Sequence, residues 1–414
     1  MSGIQGLRGT GDWSADERPK DFRNSILFLD PNGNAPIFAL TGRAGKKEVT
    51  DPEFSWWAES QTIVRLAVNG SHAAGDTVIT VDSADPSSSN MALNYGTATH
   101  LKPGDVLMHE PAAGAAYGSP EYLLVTEVLS DTSFTASREA AGTSAGTLAD
   151  EDSLLLIGSS YGEGTAAPTA VSRNPVKFSN YTQIFKNTYE LSGTATKTAT
   201  RTGDPWSNDK KRKMFDHAKG IEHTLLYSWT NSDGTGANGK PLRYTKGLRG
   251  FIPSANTTVF SNPVTTDSLL AAMEPMWSFS AGGMGGEDRI GFIGMNGAIE
   301  LAKVMRNDDS VQMNLGDRIT MWGMNFRELI MPWGRLLLKT HPLLSQHATF
   351  KKSMYVMDFA ALKYAPLRGR DTKPKDDVQA DDEDVRRGFY QTEAGWFVDA
   401  GGLTMGVLDN VSST

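Results

Sequence analysis

Serine, histidine, lysine and carboxylate residues stand at several spacings along this 414-residue chain that could do chemistry. Two serines occupy Gly-x-Ser-x-Gly frames, Gly142-Thr-Ser-Ala-Gly146 and Gly158-Ser-Ser-Tyr-Gly162. A nucleophile elbow needs a strand before the serine and a helix directly after it, so that Oγ sits on a strained turn. Ser160 has the strand, but Gly162-Glu-Gly-Thr-Ala-Ala-Pro168 cannot continue as a helix, and Ser144 has neither. Gly234-Thr-Gly-Ala-Asn-Gly-Lys-Pro241 is one residue from a phosphate-binding loop. Pro241 stands where a hydroxyl should hold Mg²⁺, and no strand precedes the loop, so it reads as a turn. His217 and His223 fall on different sides of a helix, and His341 and His347 have no acidic companions at ligand spacing. The acidic run from Asp376 to Asp384 lacks the alternating ligands and central glycine of a calcium loop. There is no cysteine, which excludes disulfides, thiolate catalysis and Cys-based zinc sites. The expectation is a chain with no catalytic residue, no metal and no cofactor.

What remains are residues suited to surfaces. Lys210, Lys211, Arg212 and Lys213 form a basic run, with Asp209 placed to pair with Lys213 one helical turn on. Asp381, Asp382 and Asp384 carry the acidic one. Phe54, Trp56, Trp57, Phe178 and Phe185 lie in alternating, extended stretches. All twelve are candidate contacts between copies of the chain. Lys plus Arg is 40 and Asp plus Glu is 48, giving −8. A general DNA binder is normally basic, because phosphate neutralisation supplies most of its affinity. A protein that surrounds DNA without gripping it can be mildly acidic.

The elements that must position these residues follow from texture. Hydrophobic content of 39% and charged content of 21% describe an ordinary globular chain. Residues 1 to about 50 are polar and broken by Gly and Pro, yet carry Phe22, Ile26, Leu27, Phe28 and Leu29, as an arm lying on other surfaces would. From about 63 to 160, short alternating runs recur between turns: 76–81, 105–108, 121–128, 132–137 and 152–157. They predict an inserted β-domain, a small barrel or sandwich of five strands. Asp204-Pro205 supplies an N-cap and first-turn proline for a helix of about twenty-five residues. Its apolar stripe is Met214, Ala218, Ile221 and Leu225, widened by Phe215 and Leu226. An α+β block follows, with helices near 266–274 and 297–305, strands near 289–294, 319–322, 333–339 and 353–358, and a final pair of strands within 388–411. The first ten residues lack the apolar core of a secretory signal, and no apolar run approaches the ~18 residues of a membrane span. The chain is expected to be made in the cytosol and to have no membrane partner.

An ordered set of motifs gives a family resemblance over most of the chain. It runs from Phe54 and Trp56 through Lys102-Pro-Gly-Asp-Val106, Leu124-Val-Thr-Glu-Val128 and Arg138…Gly142-Thr143. Then come Asn180-Tyr-Thr-Gln-Ile-Phe185 with Leu191-Ser-Gly-Thr194, the helix with Glu222, Lys246-Gly-Leu-Arg-Gly250 and Thr392-Glu-Ala-Gly-Trp396. In these the chain resembles the major head proteins of tailed bacteriophages. The resemblance implies the Hong Kong 97-type fold: an N-terminal arm (1–52), an extended loop (53–200) holding the β-insertion, a peripheral domain with the spine helix (201–245) and an axial domain (246–345). The last part (346–414) ends the axial domain and returns strands to the periphery. It implies hexamers and pentamers tiling an icosahedral virion shell around double-stranded DNA, assembled in the host bacterial cytoplasm. Scaffolding, portal and cement proteins are implied partners. Trp56, Trp57, Phe178 and Phe185 are expected to need outside surfaces to be buried. Some relatives cross-link through a Lys–Asn bond, but between Ile63 and Gly158 the only lysine is Lys102, in a turn. Non-covalent stabilisation is expected. A tail or baseplate protein is the alternative reading, and a cytosolic serine hydrolase built on Ser160 the remote one.

Overall fold

The computed structural model of the chain describes residues 45–58, 65–82, 97–110, 120–172, 175–198, 200, 203–278, 288–307, 315–321 and 324–412. The arm reading of residues 1–44, with its apolar run near Phe22, lies outside them. So does Trp322 of the strand expected at 319–322. The fold class is α+β, as expected.

Strand β1 (Glu53–Ala58) pairs antiparallel with β8 (Val176–Tyr181) as a two-stranded ribbon, Trp56 opposite Phe178 and Trp57 opposite Lys177. Alternation turns Phe54 and Trp56 inward and Trp57 outward. Between these strands sits a six-stranded antiparallel sheet: β2 (Arg65–Ala67), β3 (Val78–Thr80), β4 (Asp105–Glu110), β5 (Tyr122–Ser130), β6 (Ser133–Ala140) and β7 (Ser153–Ser159). Its order is β2-β7-β4-β5-β6-β3. The expected runs at 76–81, 105–108, 121–128, 132–137 and 152–157 all carry strands, and β2 is a sixth that three residues were too short to announce. Leu66, Ile79, Leu107, Leu123, Phe134 and Leu154 close a core made, among the described residues, only of insertion residues.

After β8 comes β9 (Gln183–Ser192), whose inward residues alternate with exposed Ile184, Lys186, Thr188 and Glu190. Helix α1 (Pro205–Tyr227) then packs on β9. Asp204 accepts from the Trp206 and Ser207 amides at 3.2 Å, with Pro205 in the first turn, as expected. The buried residues are Trp206, His217, Ile221, Glu222, Leu225 and Leu226. Met214, placed on the apolar stripe by spacing, is instead exposed. Periodicity reads the side chains of the helix, not the reach of what packs on it, and two polar residues with partners hold buried positions.

The stretch 230–239 is not only turn. Strands β10 (Ser232–Thr235) and β11 (Pro241–Tyr244) form a second two-stranded ribbon. Beyond it stands a seven-stranded mixed sheet built from β12 (Thr257–Val259), β13 (Asp288–Ile293), β14 (Leu315–Met321), β15 (Met324–Met331), β16 (Gly334–Thr340), β17 (Met354–Met357) and β21 (Gly406–Asp409). Its order is β12-β21-β17-β13-β16-β15-β14, and helices α2 (Thr266–Trp277) and α3 (Met295–Asn307) accompany it. Long β20 (Val385–Val398) pairs with β9 along one edge, and with β18 (Leu362–Pro366) and β19 (Lys373–Lys375) along the other. Residues 45–49 lie parallel beside β18 through bridges at Lys46–Tyr364 and Val49–Leu367. The two last strands, expected as a pair, belong to different sheets: β20 joins β9, and β21 joins β12 and β17.

Candidate assembly surfaces and the junction of the motifs

The scattered motifs meet at one junction. Asn180, at the end of β8, is fully buried. Its Nδ2 donates to the carbonyls of Lys246 (3.1 Å) and Trp396 (3.0 Å), and its Oδ1 accepts from the Lys246 and Tyr181 amides at 2.8 and 2.9 Å. Both donors and both acceptor positions of the amide are used. Gln183 Oε1 accepts from the Thr245 amide at 3.1 Å. Asn180-Tyr-Thr-Gln183 therefore holds the residues that open Lys246-Gly-Leu-Arg-Gly250. That second motif needs its glycines for room. A Cβ at Gly247 would stand 2.5 Å from the carbonyl oxygens of Thr224 and Leu225, at the end of α1. In the terminal motif, a Cβ at Gly395 would lie 2.7 Å from the Tyr181 carbonyl and 2.8 Å from the Phe54 ring.

Aromatic packing fills the same place. The Phe54 and Phe397 centroids are 4.6 Å apart, and Trp56 lies 5.2 Å from Phe397, 5.7 Å from Phe251 and 6.0 Å from Phe178. Trp56 Nε1 donates to the Val398 carbonyl at 3.2 Å, so its polar edge is met too. The Lys246 ammonium sits 4.7 Å over the Phe251 ring, and burial lowers its pKa.

Two buried polar contacts fix α1 to the sheets. Glu222 Oε1 lies 2.6 Å from His341 Nε2, both side chains fully buried. His341 Nδ1 accepts from the Leu343 amide at 3.2 Å, which puts the proton on Nε2, facing the carboxylate. His217 Nδ1 donates to Asn187 Oδ1 at 2.9 Å, while its Nε2 accepts from Thr392 Oγ1 at 2.7 Å. Burial lowers the His217 pKa, which keeps the ring neutral. At the far end of α1, Arg249 pairs with Asp409 and donates to Tyr355 at 3.1 Å. Its guanidinium lies 4.9 Å from Trp229 and 4.7 Å from Phe350.

The residues proposed from sequence for contacts between copies separate into groups. Phe54 and Trp56 are buried within the chain itself, and Phe178 and Phe185 are partly buried against the same core. The expectation that Trp56 needs an outside surface is corrected, because Phe178, Phe251, Phe397 and the Val398 carbonyl already enclose it, while Phe178 and Phe185 stay half-buried. Trp57 differs: it is 63% exposed. Lys210 forms an ion pair with Asp376, whose carboxyl is held below its usual range by Lys210 and by the Tyr189 hydroxyl. Lys213 reaches Asp216 at 4.0 Å rather than Asp209. Lys211 and Arg212 are exposed. Around the acidic loop, Asp377 pairs with Arg386 at 2.8 Å and Glu383 with Arg387 at 3.1 Å. Asp381, Asp382 and Asp384 are exposed, with the Asp384 carbonyl accepting from the Gly193 amide at 3.1 Å. The basic and acidic runs are thus neighbours in one chain, neutralising part of each other.

Sequence reasoning missed the surface around Trp229, Leu242 and Tyr244, which are 58%, 45% and 47% exposed. The available signal was the alternation of Leu242 and Tyr244 with Pro241 and Arg243, just past a glycine-rich turn. Ser160 follows β7 and leads into irregular chain through 172, and Ser144 lies in a loop. Among the described residues, no group of three or more His, Asp or Glu could hold a metal ion.

The residues of these motifs are spent on packing one junction, and the class, a structural protein of a virus shell, comes from the family they mark. A family model described as SU10 major capsid protein matches residues 5–412, and the chain belongs to that family. It is a major capsid protein of a phage and a component of the virion. A protein of Pseudomonas phage PaMx41, "Major capsid protein", is 27% identical over 390 residues, covering 92% of this chain and 87% of that one. Among solved structures, one from Mycobacterium phage Bobi aligns with 7% identity and a TM-score of 0.45, over 97% of this chain and 98% of that chain. The capsid of a native GTA particle aligns with 9% identity and a TM-score of 0.44, over 98% and 99%. Scores below 0.5 mark loose likeness, and the assignment rests on the family match.

Proposed function

We propose that copies of this chain close into an icosahedral head, as hexamers and pentamers in a Hong Kong 97-type arrangement, around double-stranded DNA. In this reading residues 1–52 are the arm, 53–200 the extended loop, 201–245 the peripheral domain, and 246–345 the axial domain, with 346–414 returning to the periphery. The observation that carries it is the β1–β8 ribbon. Its inner face completes the chain's own core through Phe54 and Trp56, while its outer face holds Trp57, most of which is exposed. That outer face is polar, with Glu53, Ser55, Lys177 and Ser179 around Trp57, and one large ring left in water among them is a contact another subunit can cover. Permanent interfaces of this kind bury on the order of 2,000–5,000 Å². Trp57, Lys211, Arg212, Asp381, Asp382 and Asp384 are the residues of the original set still presented outward, and the contacts they make are non-covalent.

No reaction is assigned to the chain; its residues act by packing. A net charge of −8 suits a wall that encloses DNA without reading its sequence. Scaffolding, portal and cement proteins are the further partners, and assembly takes place in the host cytoplasm. Light scattering and electron microscopy of the purified chain test the reading. Capsomers or isometric shells are expected. A monomer at every concentration and salt, or tubes and spikes, would overturn it.

A further inference from the structure

The β10–β11 hairpin is anchored at its foot and bare along its blade. At the foot, Asn231 Nδ2 donates to the Ser179 carbonyl at 3.3 Å and the Ser228 hydroxyl donates to the Thr245 carbonyl at 2.6 Å. The Thr245 amide is held by Gln183, inside the motif junction. The turn is closed by Gly236 N donating to the Lys240 carbonyl at 2.8 Å and Lys240 N donating to Asn238 Oδ1 at 3.1 Å. Yet every residue of both strands is exposed except half-buried Arg243. Among the described residues neither strand has a third strand paired beside it, although β11 approaches β9, so the ribbon is largely open.

Its chemistry narrows the partner. Leu242 and Tyr244 project from the blade and Trp229 stands near the foot. Asp233 and Arg243 pair across the strands at 3.4 Å, which leaves Lys240 as the remaining cation of the blade. That is too little charge to hold a polyanion such as DNA. A nearly neutral blade that shows Leu242 and Tyr244 from an anchored foot suits a protein surface and loses little freedom on docking. In a chain of a capsid protein family, the surface present in many copies is the chain itself.

We propose that the β10–β11 hairpin, with Trp229 at its foot, packs against a second copy of this chain and is an intersubunit contact of the shell. The inference rests on the shell reading above and names the surface it uses. The chain has no cysteine, so one introduced thiol reports one position. In Tyr244→Cys, maleimide labelling should be fast in the unassembled subunit. It should slow by about tenfold or more in the assembled particle, because thiol reactivity follows exposure. Leu242→Ser/Tyr244→Ser should keep the subunit's circular dichroism and melting temperature and lose particles. A Tyr244→Cys chain that folds but no longer assembles supports the contact equally. Intact particles whose thiol labels as fast as in the free subunit would overturn the contact and leave the shell standing. A wild-type chain that never assembles would overturn the shell reading, and the contact with it.

Discussion

Asn180 shows how one side chain can hold a fold together. Its amide joins β8, the segment that follows β11, and β20, with all four hydrogen-bonding positions used in a fully buried place. Asn180→Ala would leave the Lys246 and Tyr181 amides and the Lys246 and Trp396 carbonyls without that partner. Unsatisfied buried groups each cost about 1–3 kcal/mol. A loss of about 3 kcal/mol in urea unfolding of the unassembled subunit is expected, with partial particle formation at best. A loss under about 1 kcal/mol would mean that water replaces the amide. His217 gives the prediction in pH. Its folded-state pKa is depressed by burial below the ordinary imidazole value. The unfolded chain therefore takes up a proton first as pH falls, and stability rises with pH over that interval. The destabilisation is absent well above the unfolded value and grows as pH drops through it toward the folded one. Burial also lowers the pKa of His223, so the informative quantity is the wild type minus His217→Gln. Subunit stability measured across that window should fall less steeply in the variant, and identical slopes would remove His217 from the account.

At the scale of elements, the sequence was most readable where local chemistry decides. The start of α1 was announced by Asp204-Pro205, and the side chain of Asp204 does cap the first turn. Asp204→Ala should cost about 1 kcal/mol, the ordinary value of an N-cap, read from thermal or urea unfolding. No measurable change would show that the ion pair of Lys210 with Asp376 holds that end of the helix instead. Strands bounded by turns were readable for the same reason, because alternation and turn residues are local signals. Sheet membership was not. β20 and β21 look like partners along the chain, yet one pairs with β9 from two hundred residues earlier and the other with β12 and β17. Burial of Trp56 was misjudged in the same way, since Phe251, Phe397 and Val398 are remote in sequence. The motifs could be recognised as a set, but their convergence on Asn180 could not, because spacing carries no information about which carbonyl a distant amide meets.

At the scale of the whole molecule, the insertion is the piece whose independence can be tested. Among the described residues, its core of Leu66, Val68, Ile79, Leu107, Leu123, Val125, Phe134, Leu148 and Leu154 takes in none from outside 65–159. A buried ion pair reinforces it, with Arg138 Nε and Nη2 donating to the two oxygens of Glu121 at 2.5 and 2.6 Å. Glu121 also accepts from the Gly146 amide at 3.0 Å. Burial opposes the ionised carboxylate, but Arg138 and the amides prevail and hold the Glu121 pKa below its ordinary range. The rest of the chain has its own cores, and β1 and β8 leave the insertion side by side, with Ala58 opposite Val176. A short turn joining those two residues would therefore make β1–β8 a continuous hairpin. The excised segment 65–159 should give a β-sheet spectrum and one cooperative unfolding transition. Arg138→Met in that segment should cost about 3–5 kcal/mol, the consequence of stranding a buried carboxylate. The shortened chain should still melt cooperatively, because none of its buried aromatic contacts is lost. If either piece is unfolded alone while the intact chain is folded, the two cores support each other, and the insertion is an integral part of the subunit.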